Sequence, residues 1–105
     1  MADDSFKDFV LDQLDGLPGL RSRRMFGGHG LYADERFFGI LIEGRLYFKT
    51  DDSNRSDYES RCSGPFTYEK ARRTIRIRYF AVPADVLEDG VELKTWAAKA
   101  VAAAE

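Results

Sequence analysis

The sequence predicts a two-layer α+β fold in which helices cover one face of a five-stranded antiparallel sheet, in the order α-βββ-α-ββ-α. Apolar residues recur at helical spacing near both ends of the chain, whereas strand-like runs separated by short turns fill its middle. The chain has 105 residues, of which 44% are hydrophobic, so it can form one compact core but not two. We therefore expect a single domain over residues 1–105.

The first helix is predicted over residues 4–17. Five apolar side chains recur there at helical spacing, namely Phe6, Phe9, Val10, Leu14 and Leu17. Acidic residues lie between them and near the start of the segment, where the helix dipole favours negative charge. Gly16 and Pro18 are expected to end the helix.

Three strands are predicted to follow, over residues 23–32, 37–42 and 45–50. Glycines break the first of them, and Glu43-Gly44 has the composition of a two-residue hairpin loop. The second strand is apolar on both faces, so it is expected to lie centrally and to be covered on two sides. One cover is a helical layer, and a second copy of the chain would supply the other, which makes a homodimer one expectation.

The second half of the chain is predicted to form a short helix, a β-hairpin and a final helix. Capping residues at 51–54 begin the short helix, which points Tyr58 inward. The hairpin strands are predicted over residues 66–69 and 74–82, and Pro83 is expected at the first position of a short helical turn. After Asp89-Gly90 the final helix carries its apolar side chains on one face, namely Leu93, Trp96, Ala97, Ala100, Val101 and Ala104.

Charge is distributed unevenly along the chain. The net charge is −2, but residues 1–20 carry −4, residues 21–78 carry +5 and residues 79–105 carry −3. The simplest interpretation is that acidic helices and a basic sheet attract each other within one fold. The alternative is a surface on the middle segment that binds anions or an acidic partner.

Arginines of the second hairpin and the first strand are the candidate partner-binding residues. They are Arg72, Arg73, Arg76, Arg78 and Arg24. In the last strand Arg76, Arg78 and Phe80 are expected to share one face. A basic and aromatic surface suits a protein partner, or the phosphates and bases of a nucleic acid. A solvated sheet face paired with acidic neighbours is the plainer interpretation, and Arg24 is also suited to anchoring the fold.

Residues suited to catalysis or metal binding are few. The string MFGGHG at residues 25–30 matches neither common phosphate-binding glycine motif and is expected to form a bend. One histidine, His29, and one cysteine, Cys62, cannot build a usual zinc site, although a thiolate–imidazole pair stays open. Asp51 and Asp52 are interpreted as helix caps. We expect no enzyme activity, cofactor or metal. A further hypothesis is a small-ligand-binding protein or an enzyme of unknown reaction, with a pocket between the glycine bend and the helices.

The N-terminal sequence and the cysteine content predict a cytoplasmic protein. The first residues are acidic and lack the basic and apolar regions of a signal peptide. No apolar run reaches the roughly 18 residues needed to cross a membrane, and one cysteine fits a reducing compartment. We expect a protein partner, whereas the negative net charge disfavours nucleic acid.

Five motifs in one order resemble the TfoX N-terminal domain family of competence regulators. They are RRMFGGHGLYADERFF, LYFKTDDSNRSDYES, GPFTYEK, RYFAVPADVLED and ELKTWAAKA. Together they extend over roughly residues 9–100, and the matching positions include Arg24, Gly28, Pro65 and Trp96. The order of the motifs carries the resemblance, because each of them alone is weak.

The resemblance implies an α+β fold similar to that of secretion chaperones. It also implies a role in controlling natural competence genes, in which family members assist a cyclic-AMP receptor protein at its promoters. It implies no catalytic residue in this chain. Since the full-length regulator adds a C-terminal helical domain, this chain resembles a stand-alone N-terminal domain.

Overall fold

The computed structural model describes residues 5–25, 27–61, 65–70 and 73–104, with the side chains of residues 65–77 outside that description. In chain order the elements are α1 (Ser5–Gln13), β1 (Leu20–Met25), β2 (Gly28–Ala33), β3 (Arg36–Ile42), β4 (Arg45–Lys49), α2 (Arg55–Glu59), β5 (Pro65–Lys70), β6 (Arg73–Ala81), α3 (Ala84–Leu87) and α4 (Gly90–Ala103). All strand pairs are antiparallel, and the sheet order is β1-β2-β3-β4-β6-β5.

The predicted α+β class, with an antiparallel sheet and helices, is confirmed. The segment expected as one first strand broken by its glycines forms two paired strands, β1 and β2. The chain reverses there because Gly27 has a φ of +76°, which favours glycine. The described sheet therefore has six strands, and the extra strand lies at its edge.

Both short hairpins of the first half form at the predicted places. Asp34 and Glu43 lie in two-residue loops with φ values of +57° and +53°, and Gly44 follows at +71°. Positive φ at both positions gives the Glu43-Gly44 loop the twist that hairpin strands need. The loops set the register, which pairs Ala33 with Arg36 and Ile42 with Arg45.

A β-bulge lies in the middle of β3. Leu31 of β2 pairs with Gly39, but the next residue, Tyr32, pairs with Phe37, so Phe38 is the extra residue. The Phe38 ring lies 5.7 Å from that of Phe48 on the helix-covered side of the sheet. Phe37 instead packs on Tyr32 at a ring distance of 5.1 Å. The two adjacent phenylalanines therefore serve opposite faces.

The main core lies between the sheet and the helices, chiefly α4. Its buried residues are Val10, Leu14, Leu31, Ala33, Phe38, Leu41, Leu46, Phe48, Tyr58, Phe80, Val86, Leu93, Trp96, Ala97 and Ala100. Asp89 begins α4, because its carboxylate accepts hydrogen bonds from the backbone N–H groups of Val91 and Glu92 at 3.1 and 3.2 Å. The final helix is thus confirmed with the apolar face expected for it.

Three smaller expectations differ in detail. Helix α1 ends at Gln13, earlier than the predicted residue 17, because tight turns follow and Gly16 adopts a φ of +96°. Pro83 precedes α3 with an extended ψ of 149°, so it is the N-cap and not the first helical residue. Asn54 is the N-cap position of α2, yet its buried side chain bonds to neighbouring backbone groups in place of the helix.

Tyr58 joins α2 to the core, as predicted. Its ring meets that of Trp96 edge-on at 4.7 Å and lies 5.8 Å from that of Phe80. Burial raises the pKa of Tyr58 above its ordinary value of 10, and its hydroxyl has no hydrogen-bond partner among the described residues. The side chain therefore acts as a large apolar filler between α2, α4 and β6.

Candidate interaction face

The sheet has a second side, opposite α4, which we call the open face. Alternation along the strands and pairing between them place a defined set of side chains there. They are Arg21, Arg23, Met25, Tyr32, Phe37, Ile40, Ile42, Arg45, Tyr47, Lys49 and Tyr79. Ile40 and Tyr79 are only 4% and 7% exposed although neither belongs to the core under the helices. The open face therefore has an apolar layer of its own.

Cations and aromatic rings form a continuous row across the open face. The Arg21 guanidinium lies 5.5 Å from the centre of the Tyr32 ring, which stacks on Phe37. The Phe37 ring lies 5.6 Å from that of Tyr79, and the Lys49 ammonium lies 5.1 Å from the Tyr79 ring. Each contact between a cation and a ring contributes about 0.5–1 kcal/mol at an exposed site. The row links β1, β2, β3, β4 and β6.

Two features hold this row in place. A Cβ atom on Gly30 would lie 2.8 Å from Cε1 of Phe37 and 2.9 Å from Sδ of Met25, so only glycine lets these side chains lie against β2. At the ends, Arg21 donates a hydrogen bond to the backbone oxygen of Asp34 at 2.8 Å. The Tyr79 hydroxyl donates to the backbone oxygen of Phe37 at 3.2 Å. The row is therefore built into the sheet and is not a set of independent surface side chains.

The charged side chains described on the open face are all positive. Arg21, Arg23 and Arg45 are exposed, and Lys49 is half-buried. None of the described side chains that the strands place on this face is acidic. Arg23 and Arg45 form no ion pair within the part of the chain that the structure describes. Their charges are thus available to another molecule.

Burial and the nearby Tyr32 raise the pKa of Tyr79 to about 12, above the ordinary tyrosine value of 10. A raised pKa means that the folded protein keeps this proton longer than the unfolded chain does. The neutral Tyr79 hydroxyl therefore makes its full contribution to the free energy of unfolding below about pH 10. This contribution is lost as the pH rises from about 10 to about 12. We expect the free energy of unfolding to fall over that interval.

This expectation is checked by urea unfolding of the wild type and of Tyr79→Phe at pH 9, 10 and 11. The two proteins differ only at residue 79, so the difference between their curves isolates the Tyr79 hydroxyl. The stability of the wild type should decline more steeply than that of the variant. Parallel curves would show that Tyr79 does not titrate as its burial implies.

Two of the five arginines that the sequence suggested as partner-binding, Arg24 and Arg78, have described side chains. Arg78 is exposed and lies two residues before Phe80, so it is on the side of β6 that faces α2. Arg24 is exposed and pairs with His29 beside α1, again on the helix side. Arg72 and the side chains of Arg73 and Arg76 lie outside the described residues. The two described members therefore do not share the open face.

Sequence reasoning missed the row that the structure brings together. The signal was present, because Tyr32 and Lys49 alternate with core residues along predicted strands. The bulge at Phe38 hid it, since it shifts the alternation within β3 and sends Phe37 to the opposite side. Counting residues along an unbroken strand cannot locate such a shift.

The glycine segment was expected to bend a single strand, but it instead contains the turn between β1 and β2. It borders a cavity of about 210 Å³ whose lining includes Arg24, His29 and Glu43. His29 is half-buried there, whereas Cys62 lies outside the described residues, so the suggested pair stays a prediction. A wider groove of about 1310 Å³ runs between the end of α4 and the β2–β3 turn, bordered by Leu17, Leu20, Val101 and other residues.

Asp51 and Asp52 were predicted to cap α2, but Asn54 occupies its N-cap position, and Asp51 instead stabilises the turn before the helix. The Asp51 carboxylate accepts hydrogen bonds from the Ser53 hydroxyl at 2.6 Å and the Ser53 backbone at 2.9 Å. The Ser53 hydroxyl bond is the main cause of a pKa of Asp51 below its ordinary value. Within the described ranges no three histidine, cysteine or acidic residues converge as a metal site. None of the described helices has the length and apolarity required to cross a membrane.

The same residues match a known protein family. A family model described as the TfoX N-terminal domain matches residues 12–104, nearly the whole sequence. The chain belongs to this family. The resemblance inferred from the five motifs is therefore confirmed.

A relative from Spirochaeta aurantia is described as an uncharacterized 12.7 kDa protein in the trpE 5′ region. It is 38% identical to this chain over 58 residues, which are 55% of this chain and 50% of the relative. The chain thus matches about half the length of that protein. Its description names no activity or partner that could be carried over within the family.

Proposed function

We propose that this chain is a non-catalytic regulatory domain that binds another protein through the open face and takes part in transcriptional control of competence genes. Membership of the TfoX N-terminal domain family supports the regulatory role. The observation that carries the binding role is the row from Arg21 to Lys49, which places ordered rings and cations side by side.

Ordered aromatic and arginine side chains are the groups that dominate protein interfaces. They contribute large contact areas at a low entropic cost, and interfaces are enriched in them relative to other surfaces. Here Phe37 and Tyr79 are already held by their neighbours and by a backbone hydrogen bond. A partner would therefore lose little free energy in ordering them.

Site-specific photo-crosslinking in the native cell tests the proposal. A benzophenone amino acid at Ile42, on the open face, should yield a discrete protein adduct. The matched control places the same group at Val91 of α4, which is 76% exposed on the helix side. Equal adducts from both positions, or none from Ile42, would contradict binding through this face.

The role in transcription is tested by substitutions on the open face. Arg23→Gln/Arg45→Gln removes two exposed cations from the open face, and Arg55→Gln/Lys94→Gln removes two from the helix side. Competence-gene transcripts should fall in the first strain and stay unchanged in the second. Arg78→Gln serves as a separate arm for the arginine suggested by the sequence. Equal transcript levels in all strains would contradict the regulatory proposal.

A further inference from the structure

We infer that the open face binds an acidic polypeptide segment that carries apolar side chains between its carboxylates. This inference rests on the proposed function and adds the chemistry of the partner and the residues that recognise it. It follows from the arrangement of charge around the apolar layer, the charge of the chain's other surfaces and the packing of the rings.

The cations bracket an apolar strip. Arg21 and Arg23 lie on β1, and Arg45 lies on β4, with Ile40 of β3 between them. Strands β1 and β4 are three strand spacings apart, which is about 14 Å. A segment that covers this strip would place carboxylates about 14 Å apart and would place apolar side chains over β2 and β3.

The charges call for a negatively charged occupant. The exposed guanidinium groups of Arg23 and Arg45 have no carboxylate within reach among the described residues. Guanidinium groups form paired hydrogen bonds with carboxylates, which fix both position and orientation. The protein's own acids in α1, Asp8 and Asp12, belong to the helix layer on the other side of the sheet. An acidic partner would supply the carboxylates that the described side chains of this face lack.

A second copy of the chain does not complement this face. A two-fold interface brings the same patch of each subunit together. It would therefore place the cations of β1 and β4 against a surface of the same sign, which costs free energy. The homodimer expected from the apolar β3 run is disfavoured at this face, because the ring row already buries Ile40 and Tyr79 within one chain.

Single-stranded nucleic acid fits less well than an acidic peptide. Base stacking requires ring surfaces that are free to receive a base. Here the Tyr32 ring is in contact with Arg21 and Phe37, and the Tyr79 ring is in contact with Phe37 and Lys49. The rings thus stack on each other and on cations. The net charge of −2 also opposes attraction of a polyanion over long range.

Fluorescence anisotropy with synthetic peptides tests the inference. The probe is a labelled peptide with two glutamate pairs separated by three residues that include leucine and phenylalanine, so that the nearest glutamates of the two pairs lie about 13–14 Å apart when the peptide is extended. Comparison peptides replace the glutamates by glutamine or lysine, and labelled oligothymidylate is the nucleic-acid probe. We expect the glutamate peptide to bind at least about tenfold more tightly than the glutamine peptide and to weaken with added salt.

Protein variants locate the site. Arg23→Gln/Arg45→Gln should weaken the glutamate peptide about tenfold, which corresponds to two exposed charge contacts of about 0.7 kcal/mol each. Arg55→Gln/Lys94→Gln should leave the affinity unchanged. Equal binding of the glutamate and glutamine peptides, or an equal effect of the two variants, would overturn the inference.

Other outcomes separate this inference from the proposed function. Tighter binding of oligothymidylate than of any peptide would replace the acidic segment by nucleic acid. A dimer in solution that the glutamate peptide cannot dissociate, and that Ile40→Asp abolishes, would assign the face to a second copy. If crosslinking at Ile42 captures a protein while the glutamate peptide fails to bind, the proposed function stands and the acidic chemistry is wrong.

Discussion

Phe48→Ala is expected to lower the free energy of unfolding by about 3–5 kcal/mol. The Phe48 side chain is fully buried in β4, which has neighbours on both sides in the sheet. Its ring packs against Phe38, and it pairs across the strands with Gly39 and Phe80. The surrounding strands cannot close the cavity that alanine would leave. The variant therefore loses both the free energy of burying the ring and the free energy of its packing contacts.

That loss is large for a chain of this size. A domain of 105 residues has a net stability of about 5–15 kcal/mol, so the variant would lose about a fifth of it or more. Urea unfolding followed by circular dichroism measures the change. Val91→Ala, at a side chain that is mostly exposed, is the control and should stay within about 0.5 kcal/mol of the wild type. A loss under about 1.5 kcal/mol for Phe48→Ala would contradict the packing described for β4.

Gly28→Ala is expected to cost about 3 kcal/mol, more than the same change at the adjacent Gly27. A Cβ atom on Gly28 would overlap the carbonyl oxygen of Leu41 and lie 3.1 Å from the Cα atom of Ile42. Both are backbone atoms of β3, so no side-chain rotation relieves the overlap. Relief requires β2 and β3 to move apart, which strains the ladder between them.

Gly27 provides a matched control because its requirement is different. Its φ of +76° favours glycine, but a Cβ atom there would meet no atom within 4 Å. Gly27→Ala should therefore cost only the backbone strain of about 1–2 kcal/mol. Thermal unfolding of the two variants side by side measures both costs. A larger loss at Gly27 than at Gly28 would show that the turn, and not the contact with β3, demands glycine.

The sequence was informative where one residue type has one physical role. Glu43-Gly44 predicted a hairpin loop because glycine at its second position readily adopts the positive φ that two-residue hairpin loops require. The spacing of Leu93, Trp96 and Ala100 predicted the buried face of α4. Such signals depend only on nearby residues, so they can be interpreted without knowledge of the rest of the chain.

The candidate site was less predictable because it depends on register between strands. Tyr32 and Phe37 become partners only because β3 contains one extra residue at Phe38. Tyr79, more than 40 positions later, reaches Phe37 across β4. No local pattern encodes an alignment between segments so far apart. The arginines were conspicuous by composition, yet composition does not state which side of a strand each one occupies.

The position of the single tryptophan has a practical consequence for spectroscopy. Trp96 belongs to α4, contacts Tyr58 and lies 5.5 Å from the Arg61 guanidinium, all on the opposite side of the sheet from the aromatic row. Its emission should respond to loss of the helix layer and remain nearly constant while a ligand occupies the far side. Intrinsic fluorescence thus reports unfolding cleanly, whereas titrations of a partner require an external label.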